Sequence, residues 1–148
     1  MQPLYTERDA PLTGAGEDLP GVAPYRRGSA ASGRHGAAWD VRALHDGADI
    51  GCLQQDIAAD LTRGATSLWL RFARPTGGAG IPCETADQLD AILQGVDLAR
   101  VPLMLDAGGE GVALANHLRV VAARRGIAPS ALRGTLACDP LGTLASEG

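Results

Sequence analysis

Asp106 closes a run of strand formers, VPLMLD at residues 101–106, and Gly108 and Gly109 follow it. A carboxylate at the carboxyl end of a parallel strand is where barrel enzymes place acid–base groups. A lone strand-end Asp equally well caps the turn after it, so both readings stand. Three histidines offer the other chemistry near neutral pH. His35 lies among Gly and Ala, His45 precedes a Gly/Asp turn and His117 adjoins Leu118. None has a Cys or an acid at ligand or triad spacing, and each is expected to be structural or exposed. Cys52, Cys83 and Cys138 are odd in number and form no C-x-x-C pair, which argues against both a disulfide framework and a zinc site. The pairs beginning at Gly77 and Gly108 do not extend to G-x-G-x-x-G, so they support no dinucleotide site.

The elements that must position these residues show in the periodicity. Up to about Asp49 no period of 2 or 3.6 is sustained, and Pro3, Pro11, Pro20 and Pro24 interrupt the chain. Leu4, Tyr5, Leu12, Leu19, Val22, Tyr25, Trp39, Val41 and Leu44 nevertheless supply too many apolar anchors for a solvated tail. Residues 1–49 are therefore expected to form an extended arm lying on another surface. Leu53, Ile57 and Leu61 predict a helix capped by Gly64, and SLWLRF at 67–72 predicts a strand. Thr85 and Gln88 make a capping-box pattern ahead of the apolar face Leu89, Ile92, Leu93 and Val96. After the 101–106 strand, Val112, Ala115, Leu118 and Ala122 mark a helix that ends in Arg124 and Arg125, where the macrodipole favours cations. Leu132 to Cys138 predicts a last strand.

Strands and helices that alternate in this way predict βαβ units and a parallel sheet. About three such units cannot close a (β/α)8 barrel, so residues 50–148 read as a partial barrel or an open α/β sheet. An unclosed barrel leaves inward-facing side chains such as Trp69 and Met104 without opposite partners. The chain is expected to be a cut domain or an incomplete product, since the units stop abruptly after Asp139.

Composition excludes several classes. The 148 residues carry a net charge of −4, and all 13 basic residues are arginines dispersed along the chain, so no nucleic-acid footprint is present. No apolar run is long enough to span a membrane and no secretory leader is evident, so a cytoplasmic protein is expected.

One segment carries a resemblance. Arg27 to Leu44, RGSAASGRHGAAWDVRAL, aligns without a gap with R-G-x-Y-x-T-M-Y-x-x-R-P-W-T-x-R-Q-Y, the amino-terminal signature of acyl-CoA mutases; Arg27, Gly28, Trp39 and Arg42 match, and Ser32 stands for the threonine. The stretches PGVAPYRRG, ADLTRGATSLWLRF and LRGTLACDPLG agree in order, the last being similar to the catalytic chain's L-x-G-T-I-Q-N-D. Together they resemble the amino-terminal part of the small, non-catalytic subunit of heterodimeric methylmalonyl-CoA mutases. The resemblance implies the (β/α)8 TIM-barrel family, here the arm and the first about three βα units.

In catalytic mutase chains the signature lines the substrate channel, and this sequence departs from it there. The closing tyrosine is Leu44, the inner one Ala30, the methionine Gly33, the second tyrosine Arg34, the arginine Ala37 and the threonine after Trp39 is Asp40; the Q and N of the strand motif are Ala137 and Cys138. These changes remove phenols, a guanidinium and an amide that would hold a CoA thioester. No catalytic residue is therefore expected. Ser32, Arg42 and Thr135 remain as vestigial channel positions, and Tyr25, Arg27 and Trp39 are expected at the interface with a large catalytic subunit. No D-x-H-x-x-G element occurs, so adenosylcobalamin is expected on that partner chain, which would convert (R)-methylmalonyl-CoA to succinyl-CoA. The alternative is a free-standing α/β barrel enzyme or acyl-CoA-binding domain using Asp106, Thr135 and Arg42.

Overall fold

A computed structural model of the chain describes residues 21–23, 39–74 and 77–147. The chain divides into two compact units, residues 1–39 and 40–148. Tyr25, Arg27, Ser32 and His35 lie outside the described residues.

The second unit runs β1 (Arg42–His45), α1 (Ile50–Arg63), β2 (Ser67–Arg71), α2 (Ala86–Ile92), β3 (Leu103–Gly108), α3 (Gly111–Arg124), β4 (Gly134–Cys138) and α4 (Pro140–Glu147). The strands are parallel and ordered β1-β2-β3-β4. Consecutive parallel strands joined by right-handed crossovers put the connecting helices α1, α2 and α3 on one face of the sheet, as in a (β/α) barrel and unlike a doubly wound sheet.

Burial agrees with that topology. Leu68, Leu70, Phe72, Leu103, Leu105 and Ala107 alternate along β2 and β3 and are buried. They meet Leu53 and Ile57 of α1, Leu89 and Ile92 of α2, and Leu114 and Val121 of α3 in one core. Each such leucine or isoleucine contributes about 1.5–3 kcal/mol by leaving water. The intervening residues face away from the helices. Two of their register rows are Leu44–Trp69–Met104–Thr135 and, from β2 to β4, Arg71–Asp106–Ala137.

Local signals set the helix ends. The Asp49 carboxylate accepts from Cys52 N at 2.7 Å to start α1, which stops at Gly64 with φ 112°. The Thr85–Gln88 capping box opens α2 as the sequence predicts. The far end of α2 is held differently, by Arg125 just beyond α3. Its guanidinium donates to the backbone oxygens of Asp90 (2.9 Å), Leu93 (3.0 Å) and Val96 (3.3 Å) and to the Asp90 carboxylate (2.7 Å). A cation expected to interact with the dipole of its own helix instead satisfies the orphan carbonyls of the neighbouring one.

Three elements differ from the sequence reading. β1 falls inside the stretch expected to be extended arm. Its Ala43 and His45 turn toward the helices while Arg42 and Leu44 turn away, so the usual apolar-in, polar-out alternation is inverted at Leu44 and His45. β3 begins two residues later than expected, because Val101 and Pro102 belong to the preceding turn. α4 follows β4 after the single residue Asp139, whose carboxylate accepts from Gly142 N at 2.8 Å. Gly134 has φ 143°, and a Cβ there would overlap the Leu103 carbonyl oxygen, so the glycine ahead of Thr135 is what lets β4 approach β3.

Candidate functional site

The sheet face opposite α1, α2 and α3 is where a barrel would hold its contents, and it gathers most of the paired polar side chains among the described residues. At its amino end, Arg42 begins β1 beside Ser67 of β2. Arg42 Nε donates to Ser67 Oγ at 3.0 Å, Nη2 donates to Asp40 Oδ2 at 2.9 Å, and Nη1 reaches Met104 Sδ at 3.5 Å. Asp40 also accepts from Thr66 Oγ1 at 2.7 Å and from Ser67 Oγ at 2.9 Å. The Thr66 and Ser67 hydroxyls and the Arg42 charge hold its carboxyl below the usual carboxylate range.

At the carboxyl end, Asp106 accepts from Trp69 Nε1 at 3.3 Å and stands 3.7 Å from Arg71 Nε. Arg71 also lies 3.5 Å from Asp46, with its guanidinium carbon 5.3 Å from the centre of the Trp69 ring. Asp106 is therefore a cross-strand acceptor, and its carboxylate does not cap the turn at Gly108. Trp69 and Met104 do face inward, as expected of a barrel lining.

Arg42 and Thr135 share this face but lie three strands apart, a separation of roughly 14 Å at about 4.8 Å per strand. Trp39 is 82% exposed and so belongs to no core. The residues that organise the face are Asp40, Asp46, Ser67, Trp69 and Arg71, which sequence reasoning did not single out as site residues. Their signal was the alternation within SLWLR, where Ser67, Trp69 and Arg71 face away from Leu68 and Leu70.

The other candidates sit on the helix side. His45 is buried 3.5 Å from Asp60 of α1. His117 borders a cleft of about 440 Å³ between α2 and α3, lined also by Phe72, Cys83, Glu84 and Leu114. Burial pushes the Cys83 thiol up, away from the nucleophilic thiolate. Among the described residues no three His, Cys, Asp or Glu side chains stand together as a metal site, all three cysteines are free thiols, and no helix is long and apolar enough to cross a membrane.

The family model for Methylmalonyl-CoA mutase matches residues 1–148. The chain is 42% identical over 147 residues to the methylmalonyl-CoA mutase small subunit of Streptomyces virginiae, covering 99% of this chain and 22% of that one. It is 44% identical over 69 residues to the small subunit of Propionibacterium freudenreichii subsp. shermanii, covering 47% and 10%. It is 27% identical over 156 residues to the methylmalonyl-CoA mutase of Escherichia coli (strain K12), covering 95% and 22%. The chain thus spans about a fifth of the length of the first and third of these relatives and a tenth of the second. A parallel α/β sheet in consecutive order and a family match along its whole length lead to one conclusion: the chain belongs to the methylmalonyl-CoA mutase family.

Proposed function

We propose that this chain is part of the small, non-catalytic subunit of a heterodimeric, cytoplasmic methylmalonyl-CoA mutase. Its task is to support a large chain that binds adenosylcobalamin and isomerises methylmalonyl-CoA to succinyl-CoA. The observation that carries this reading is the self-saturation of the inner face. Every nitrogen of the Arg42 guanidinium has a partner within the chain, and Arg71 lies between Asp46 and Asp106. Among the described residues paired on that face, two arginines stand against Asp40, Asp46 and Asp106, a sum of 2 − 3 = −1. A face of that sign repels the phosphates of an acyl-CoA instead of gathering them. Leu44 and Ala137, which the resemblance places where a tyrosine and a glutamine would stand, offer no hydrogen bond at all.

The described residues do not fit a corrinoid either. His45 and His117 both lie on the helix side of the sheet, and neither is presented from the inner face. Arg42 and Thr135 are read as remnants of a channel, and Trp39, with Tyr25 and Arg27, as anchors on the large chain. Supporting this, the Trp39 ring is exposed where a core tryptophan would be covered.

The test titrates the chain with methylmalonyl-CoA and asks what co-purifies with it. Binding no tighter than millimolar, together with capture of a longer cobalamin-binding chain, is the expected result. Micromolar binding to this chain alone would establish the rival reading, an acyl-CoA-binding domain built on Arg42, Thr135 and Asp106.

A further inference from the structure

The donors around Asp40 keep their orientation through bonds that do not involve Asp40. Thr66 Oγ1 accepts from Val41 N at 2.9 Å and donates to Asp40 Oδ1 at 2.7 Å, with the Val41 carbonyl oxygen a longer second acceptor at 3.4 Å. Ser67 Oγ accepts from Arg42 Nε at 3.0 Å, which leaves its own hydrogen for Asp40 Oδ2. Ser67 is fully buried at the start of β2. Arg42 is fixed in turn by Ser67 and by Met104, with Nη2 pointing at the same carboxylate oxygen. Two hydroxyls and one guanidinium, carried by the ends of two paired strands, thus converge on one carboxylate. Each donor has an anchor besides that carboxylate: Val41 N for Thr66, Arg42 Nε for Ser67, and Ser67 with Met104 for Arg42.

The geometry points to an oxyanion cradle at the amino end of the inner face, formed by Arg42, Thr66 and Ser67 and kept filled by the chain's own Asp40. Its ligand class is a small oxyanion, a carboxylate or a phosphate, because the donors are all hydroxyl or guanidinium hydrogens and two of them meet on one oxygen. Asp40 is tethered two residues from Arg42, so it occupies the cradle at a high effective concentration and a free anion competes poorly. The inference deepens the proposed non-catalytic role and rests on it for one point, that the cradle stays closed because this face serves no substrate.

The test compares thermal unfolding of the full chain in acetate, in phosphate and in chloride at equal ionic strength. The Asp40→Ala variant is expected to melt below the parent in chloride and to recover part of the difference in tens of millimolar acetate or phosphate, as linkage requires of an anion bound only by the folded state. The parent should not respond, and the Asp40→Ala/Arg42→Ala double variant should not recover. If Asp40→Ala does not fold in chloride, refolding yield in the three salts gives the same readout. No anion-specific gain in Asp40→Ala, or an equal gain in the double variant, overturns the cradle. Neither outcome touches the proposed subunit role, which is read from acyl-CoA titration and co-purification.

Discussion

Replacing Trp39 by alanine is expected to weaken association with the large mutase chain by roughly thirtyfold or more and to leave the chain's own melting temperature nearly unchanged. The magnitude follows from exposure. A tryptophan buries about 150–250 Å² when fully covered. With 82% of Trp39 accessible, up to about 200 Å² remains to be covered by a partner. At about 25 cal/mol per Å² that area bounds the gain near 5 kcal/mol. Ordering the flanking chain and desolvating the indole N–H reduce it, and about 2 kcal/mol is the threshold at which interface tryptophans act as hot spots. Two kcal/mol corresponds to roughly thirtyfold in dissociation constant. An exposed side chain contributes little to its own fold, so the variant's stability should stay within about 0.5 kcal/mol of the parent. Calorimetric titration against the large chain and thermal melts of the same preparation read both quantities. Unchanged affinity beside a lowered melting temperature would refute the interface role.

Arg125→Ala should cost about 2–3 kcal/mol, read from the urea midpoint, because it strips the carbonyl cap from α2; the figure takes four modest hydrogen bonds and discounts them for a side chain a quarter exposed. A change below about 0.5 kcal/mol would show that water caps α2 equally well. Gly134→Ala should separate β4 from β3, seen as loss of amide-exchange protection across that strand pair before any other. Asp40 has a folded pKa below its unfolded value, so the stability it contributes is present above that value and is lost as pH falls through the folded one. Asp40→Asn should accordingly flatten the acid limb of the melting-temperature profile below about pH 4, and an unaltered limb would contradict the bonding described for Asp40.

The fold was legible wherever apolar residues alternate against a covered face. Leu68, Leu70, Leu103 and Leu105 gave two strands, and the capping box at Thr85 and the glycine at Gly64 gave helix ends, because these are local interactions. β1 was not legible, since its leucine faces the barrel side and its histidine the helices. The inner face was only half legible. Trp69 and Met104 could be placed on it by period, and Arg42 and Thr135 by resemblance. That Thr66 and Ser67 would close on Asp40, or Arg71 on Asp106, depends on pairings between strands 25 to 35 residues apart, which no window of sequence contains.

The cap on α2 also orders events in time. Each strand pairs with the one made just before it, so the sheet can grow in the direction of synthesis, one hairpin-free crossover at a time. The carbonyls closing α2 are satisfied by a side chain that emerges 35 residues after Asp90. A nascent chain paused before Arg125 already has the Ala91 carbonyl covered by Gln54 of α1, but the carbonyls of Asp90 and Leu93 stay open to water until α3 has been completed beside α2.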